Sequence, residues 1–361
     1  MKPRFGDRSL FPDLAWRVYL NHAAISPPSL PVLQAAAAVS QSYASQGVTA
    51  FPTWMESREV LRGKLARLVH AAPEDIALIA NTTAGVIAIA NCFPWNSGDG
   101  VVVFEGEFPT NVTPWQQAAR SFDLRLHMLP LTGFGDGSGD GLARLEAVLK
   151  QGVALVAVSA VQFQTGLRMP IEAMADLAHR YGAQLFVDGI QAVGAVPVDA
   201  RKVDYLTVGS HKWLMGIEGC GFLYIHPDRI GALNPRMAGW LSHEDGIGFL
   251  FDGHGHLRYD RPIRRQASFL EAGAFNSAGF EALQASVSLI EQLGVPAIFA
   301  HIGGYLDQLE SGLLAQGFTS LRASDPAARS GILSMLPPGG VDLIAPVSYT
   351  HLTLPTKCWV W

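Results

Sequence analysis

The sequence predicts an α/β protein: a mixed, mostly parallel sheet flanked by helices, followed by a smaller C-terminal α/β domain. Three observations carry that expectation. Residues 153–187 run as apolar strand, amphipathic helix and apolar strand, the rhythm of a parallel pair with a right-handed crossover. Other short apolar runs stand at 76–79, 101–104 and 219–225. Hydrophobic residues make up 49% of the 361 and charged residues only 16%, so a large buried core is expected.

In chain order, Tyr19-Leu20-Asn21-His22-Ala23-Ala24 and then Pro27-Pro28 read as an extended piece and a turn. His22 there either faces a substrate or stabilises the turn. Residues 31–46 form a helix with a run of alanines, and 53–69 a second helix with apolar positions at Trp54, Leu61, Leu65 and Leu68. Ala72-Pro73-Glu74-Asp75 breaks it. The apolar run 76–79 leads into Asn81-Thr82-Thr83-Ala84-Gly85 and an apolar helix to Cys92. A hydroxyl-bearing turn that opens a helix suits an anion, because free N–H groups and the helix dipole point at it. It equally suits an ordinary threonine N-cap.

Residues 101–104 and 124–131 are strands, and 133–141 is a Gly/Asp-rich surface loop. No GxGxxG joins a strand to a helix here, so a nicotinamide-binding Rossmann unit lacks support. A helix at 142–150, a strand at 153–159 and a helix at 170–181 closed by Gly182 follow. Beyond residue 227 come helices at 279–293 and 296–316 and a strand at 330–336. The expected blocks are an N-terminal arm with the first helix (1–46), a large domain (47–262), a partial small domain (263–346) and a tail (347–361).

The chemistry gathers around residues 187–221. One apolar run ends in Asp188, and Lys212 stands just past the next, at 203–208. Pyridoxal phosphate needs both residue types. A lysine holds its aldehyde as an imine, and a carboxylate keeps its ring nitrogen protonated so that the ring acts as an electron sink. A desolvated site lowers a lysine pKa, as that bond requires.

Val187-Asp188-Gly189-Ile190-Gln191, followed by Ser210-His211-Lys212, resembles the class-V aminotransferase family. That family includes cysteine desulfurases, selenocysteine lyases, kynureninase and isopenicillin N epimerase. The resemblance runs from about Tyr19 to Met335. It implies pyridoxal 5′-phosphate, fold-type I, and a homodimer with its sites at the interface. It implies that Lys212 is the imine lysine and moves the proton at the substrate α-carbon, while Asp188 bonds the ring nitrogen. Thr82, Thr83 and His211, with Ser210 beside them, would hold the phosphate. Phe108 would stack on the ring, and Gln191 would hold the phenolic oxygen, aided by Gln162.

The chain also departs from the family pattern. Ala84 stands where many members have Glu. Phe108 stands where desulfurases have a proton-moving histidine, and Phe163 where they have Asn. Gly209 replaces a serine three residues before the lysine, with Ser210 one place later. Ala274 replaces a threonine that reaches the neighbouring subunit's phosphate, a contact that Asn276 or Ser277 could take over. The Phe-Pro-Thr run at 108–110 looks more like kynureninase.

The expected function is therefore an amino-acid transformation by transamination or side-chain cleavage. The alternatives are a cysteine desulfurase or selenocysteine lyase, and a non-catalytic scaffold that kept the fold. Intact Asp188, Gln191 and Lys212 argue against the scaffold. A net charge of −5 without a basic cluster argues against nucleic acid. No apolar run reaches membrane-spanning length. Cys92, Cys220 and Cys358 lack metal or disulfide spacing, which suits a reducing cytoplasm. His254 and His256 without a third ligand read as a loop, not a metal site.

Residues 347–356 resemble a translated transposase adapter, so the tail from Val347 is expected to be non-native. The family's closing segment would then be missing beyond Pro346. With it would go the arginine that clamps the substrate carboxylate and any catalytic cysteine. The chain as written is expected to be inactive on that ground.

Overall fold

The computed structural model describes residues 3–339 and 359–360. The tail reading from Val347 otherwise lies outside the described residues. Two helices, α1 (Leu30–Gln46) and α2 (Phe51–Leu68), precede the sheet. The sheet itself is made of β1 (Ile76–Ile79), β2 (Gly100–Phe104), β3 (Arg125–Leu129), β4 (Val153–Ser159), β5 (Gln184–Asp188), β6 (Tyr205–Gly209) and β7 (Gly221–Ile225). Helices α3 (Thr82–Cys92), α4 (Thr113–Phe122), α5 (Asp140–Leu149) and α6 (Ile171–Arg180) connect the strands. Short α7 (Pro227–Ile230) and α8 (Phe249–Asp252) follow, then α9 (Ser277–Leu293) and α10 (Val295–Leu314). A small second sheet holds β8 (Thr319–Ser320), β9 (Ser334–Leu336) and β10 (Trp359–Val360), in the order β10-β9-β8.

The large sheet runs β1-β7-β6-β5-β4-β2-β3. Only the pairs made by β7 are antiparallel, as the mixed, mostly parallel expectation required. Strands β2 and β4 to β7 are buried almost throughout, which is why their sequences are apolar without alternation. Helix α4 was not expected from the sequence. It starts with Pro114 in its first turn, where the missing N–H costs nothing.

Three packing features set the site. First, β1, β2, β4, β5 and β6 all point their C-terminal ends at one edge, the place where open α/β sheets bind ligands. Second, α3 lies tight against β6. A Cβ on Gly85 would stand 2.1 Å from Thr207 Oγ1, so only glycine allows that approach. Third, the N-terminal arm closes over the loop past β6. The Ser26 N–H donates to the His211 carbonyl at 2.8 Å, and its hydroxyl to the Lys212 carbonyl at 2.7 Å.

Glu271 ties the opposite flank. It is buried between Arg58 and Arg62 of α2 and accepts from the Leu78 N–H at 2.8 Å. Among the described residues no single helix is long and apolar enough to cross a membrane. Helices α9 and α10 reach such a length only as a pair bent by 78°, and α9 packs its apolar face on α1 and α2.

Candidate active site

The loops after β2, β4, β5 and β6, with the start of α3, converge at the common edge. Register fixes the relation between the acid and its neighbours. Asp188 is the last residue of β5, directly opposite Ser159 of β4 and Thr207 of β6. Its carboxylate is buried and accepts from the Ile190 N–H at 3.0 Å. Burial pushes Asp188 up to about 6, and the positive Lys212 opposes that rise. Burial in turn holds the Lys212 amine below the ordinary lysine value, with Asp188 opposing. Lys212 Nζ stands 5.5 Å from the centre of the Phe108 ring. Phe108 is half exposed and meets Phe163 edge-on at 5.3 Å.

At the start of α3 the cap is Asn81, whose Oδ1 accepts from the Ala84 N–H at 2.8 Å. The threonines are therefore not needed as caps. Thr82 is buried and its Oγ1 has no partner among the described residues. Gly209 leaves the room beside it, since a Cβ there would stand 3.0 Å from Thr82 Oγ1. Thr83 Oγ1 lies 2.8 Å from Thr110 Oγ1, a residue to which the sequence reading gave no role of its own. His211 is half-buried, and burial and Lys212 both lower its pKa.

Other predicted residues are engaged by protein. Gln191 Nε2 donates to the Ala23 carbonyl at 2.9 Å, and its Oε1 accepts from Trp213 Nε1 at 2.9 Å. One amide hydrogen of Gln191 is left for any phenolic oxygen. Gln162 is buried, donates from Nε2 to Glu107 Oε1 at 2.9 Å and leaves its own Oε1 without a partner among the described residues. Ser210 is turned away from the others. Its hydroxyl donates to the Ile217 carbonyl and touches Cys220 Sγ at 3.0 Å, closing the loop back onto β7. Asn276 caps α9, accepting from the Gly279 N–H at 2.9 Å and donating to the Gly219 carbonyl at 3.2 Å.

His22 serves the turn: Nδ1 lies 2.8 Å from Ser26 Oγ, and burial drops its pKa to about 4, so the ring is neutral. Cys92 and Cys220 are free and buried, and burial pushes both thiols up, Cys220 to about 11. Burial disfavours the thiolate at both. Among the described residues no three His, Cys, Asp or Glu side chains gather for a metal; the His254 side chain lies outside the description.

Sequence reasoning missed Glu107. It is buried, Oε1 accepts from the Ser159 N–H at 2.6 Å, and Oε2 contacts the Ser159 hydroxyl. Burial, reinforced by Asp188, pushes it up to about 7. A glutamate set directly before Phe108 in the short loop after a buried strand was the available signal.

These residues suit pyridoxal phosphate. An orphaned hydroxyl at a helix N-terminus awaits an anion, a desolvated amine awaits an aldehyde, and a buried carboxylate without a tight cation awaits a protonated ring nitrogen. The sheet and its strand-end site are those of fold-type I pyridoxal-phosphate enzymes. The Aminotransferase class-V family profile matches residues 18–340, and the chain belongs to that family. Its cofactor is accordingly pyridoxal 5′-phosphate.

A cysteine desulfurase of Dickeya dadantii is 34% identical over 288 residues, 76% of this chain and 65% of that protein. One from Serratia proteamaculans is 30% identical, over 77% of this chain and 66% of its own length. A probable cysteine desulfurase of Halalkalibacterium halodurans matches at 30% over half its length, 54% of this chain. The chain thus spans between half and two thirds of these relatives. Among solved structures, a mutant of C-DES with glycine covalently linked to its pyridoxal-phosphate cofactor superposes with TM-score 0.87 at 24% identity, covering 98% of this chain and 93% of that one. The apo cysteine desulfurase of Thermococcus onnurineus gives 0.79 at 24%, covering 92% and 82%. At that identity they speak to the fold.

Proposed function

We propose that this protein transforms an amino acid with pyridoxal phosphate, Lys212 serving as the anchoring amine and as the proton carrier at the substrate α-carbon. The observation that carries this reading is the buried Asp188 beside a Lys212 whose amine is desolvated. The bound cofactor supplies an aldehyde for amines and a ring that withdraws electrons.

This chain's residues do the rest. Lys212 Nζ, held toward the neutral form by burial, can both donate an electron pair and take a proton from the substrate α-carbon. Asp188, ionised at neutral pH, holds a proton on the ring nitrogen. Thr82, Thr83 and the α3 N–H groups receive the phosphate, and His211 flanks it. Phe108, whose ring centre lies 5.5 Å from Lys212 Nζ, would offer the cofactor an aromatic face but cannot move a proton, so that role would fall to Lys212.

The substrate is an amino acid, and the reaction is transamination or side-chain cleavage. The desulfurase reading is favoured by the 34% identical relative. It is weakened by Phe108 and by the buried, high-pKa Cys92 and Cys220. The scaffold reading does not account for the lysine–aspartate pair. A homodimer is part of the proposal, supported by exposed Trp240, Leu250, Phe251 and Tyr259 on one stretch of chain. So is a reducing cytoplasmic setting, supported by the two free thiols.

The test is borohydride reduction of cofactor-loaded protein, followed by peptide mapping. The reduced cofactor should sit on Lys212. Label on any other lysine, or no visible absorption on loading, would overturn the assignment.

A further inference from the structure

We infer that Glu107 and Asp188 form one coupled carboxyl pair, in which Glu107 holds the shared proton and the negative charge rests on Asp188. Glu107 is then a positioning residue: it acts on the ring-nitrogen site through Asp188. Its effect on chemistry rests on the function proposed for Asp188, whereas the coupling itself does not.

The geometry comes from the sheet register. Ser159 and Asp188 are partners across β4 and β5. Glu107, from the loop after β2, binds that same Ser159 through both its N–H and its hydroxyl. Gln162 Nε2 completes the set at 2.9 Å. All of these side chains are buried, and Glu107 makes no ion pair among the described residues. The charged groups in play are Asp188 from β5 and, acting on Asp188, Lys212 from the loop past β6. A buried carboxyl without a cation retains its proton first because burial disfavours its charge, and further because the Asp188 charge across Ser159 repels a second one. Consistent with this, Glu107 is pushed up to about 7 and Asp188 only to about 6.

The hydrogen bonds accommodate both states. Oε1 accepts from two N–H donors whether or not the acid is charged. Oε2 shares one hydrogen with the Ser159 hydroxyl, which donates to a carboxylate and accepts from an acid. Ionisation therefore changes the field at Asp188 without rearranging β4. As pH rises, the second negative charge appears and strengthens the hold of Asp188 on a proton opposite it.

The experiment is carboxyl 13C NMR of the full chain without cofactor, titrated as wild type, Glu107→Gln and Asp188→Asn. The resonance missing from Glu107→Gln should titrate near 7 in the wild type. It should move down by at least about half a unit in Asp188→Asn. If Asp188→Asn does not fold, the wild-type Asp188 resonance decides. It should show a second step at the Glu107 midpoint, absent in Glu107→Gln. An ordinary glutamate midpoint for Glu107, an unmoved midpoint in Asp188→Asn, or a single-step Asp188 curve would overturn the coupling. Failure of borohydride to label Lys212 would instead overturn the proposed function and leave the titration standing.

Discussion

Trp213 donates its indole N–H to Gln191 Oε1 at 2.9 Å, across the gap between the loops after β5 and β6. Gln191 also holds the Ala23 carbonyl at 2.9 Å, so one amide joins the N-terminal arm, the Asp188 loop and the residue after Lys212. Gln191→Ala leaves a buried indole N–H and a carbonyl unpaired. We expect a loss of about 1–3 kcal/mol in denaturant unfolding of the cofactor-free protein. An unchanged midpoint would mean that the arm is held by other contacts.

Asp188→Asn keeps the side-chain shape and the bond from Ile190 while removing the charge. The anchoring amine and the phosphate cradle are untouched, so cofactor binding should persist. Turnover of any amino acid found to be a substrate should fall by about 10²-fold or more, as when one preorganised electrostatic contact is removed. Visible absorption would report the binding and a steady-state assay the turnover. Near-normal activity would remove Asp188 from the mechanism.

Glu271 sits between two buried arginines and also receives the Leu78 N–H. Glu271→Gln leaves the buried Arg58 guanidinium without its ion-pair partner, while Arg62 keeps Glu59. Loss of one partner in such a buried set costs about 3–5 kcal/mol. Thermal or urea unfolding would measure it. A cost under about 1 kcal/mol would show that water or other carboxylates compensate.

Folded Glu107 keeps its proton to about 7, whereas an unfolded glutamate releases it near 4.5. Between those values the folded state binds more protons, so this group's contribution to stability falls as pH rises. Glutamine at this position has no such loss. Relative to wild type, Glu107→Gln should therefore gain stability between pH 4.5 and 8, by up to about 3 kcal/mol. Parallel unfolding curves at the two ends of that range would check it; a gap independent of pH would contradict the raised titration.

The fold was largely legible because its signal is local. Apolar runs without alternation mark strands covered on both faces, and the helix at 170–181 ends at Gly182, whose φ of +75° favours glycine. The structure moves most of the expected boundaries by one to three residues and adds α4. Thr82, Asp188 and Lys212 were legible too, since residue type and order around a strand end suffice to suggest their chemistry.

What the sequence by itself determined was the sheet and the cofactor, because each is written in neighbouring residues. Tertiary structure alone decided which hydroxyls and amides are free. Ser210 and Asn276 have suitable chemistry, yet backbone carbonyls and N–H groups hundreds of atoms away in the chain or just across a turn take up their hydrogen bonds. The Thr82 hydroxyl has no partner among the described residues, Asn81 capping the helix and Gly209 leaving space beside it. Glu107 gains its role from Ser159, 52 residues further on, which strand register sets opposite Asp188. A hydrogen-bond donor or a titrating carboxyl is defined by what surrounds it, and burial and pairing exist only once the strands have met.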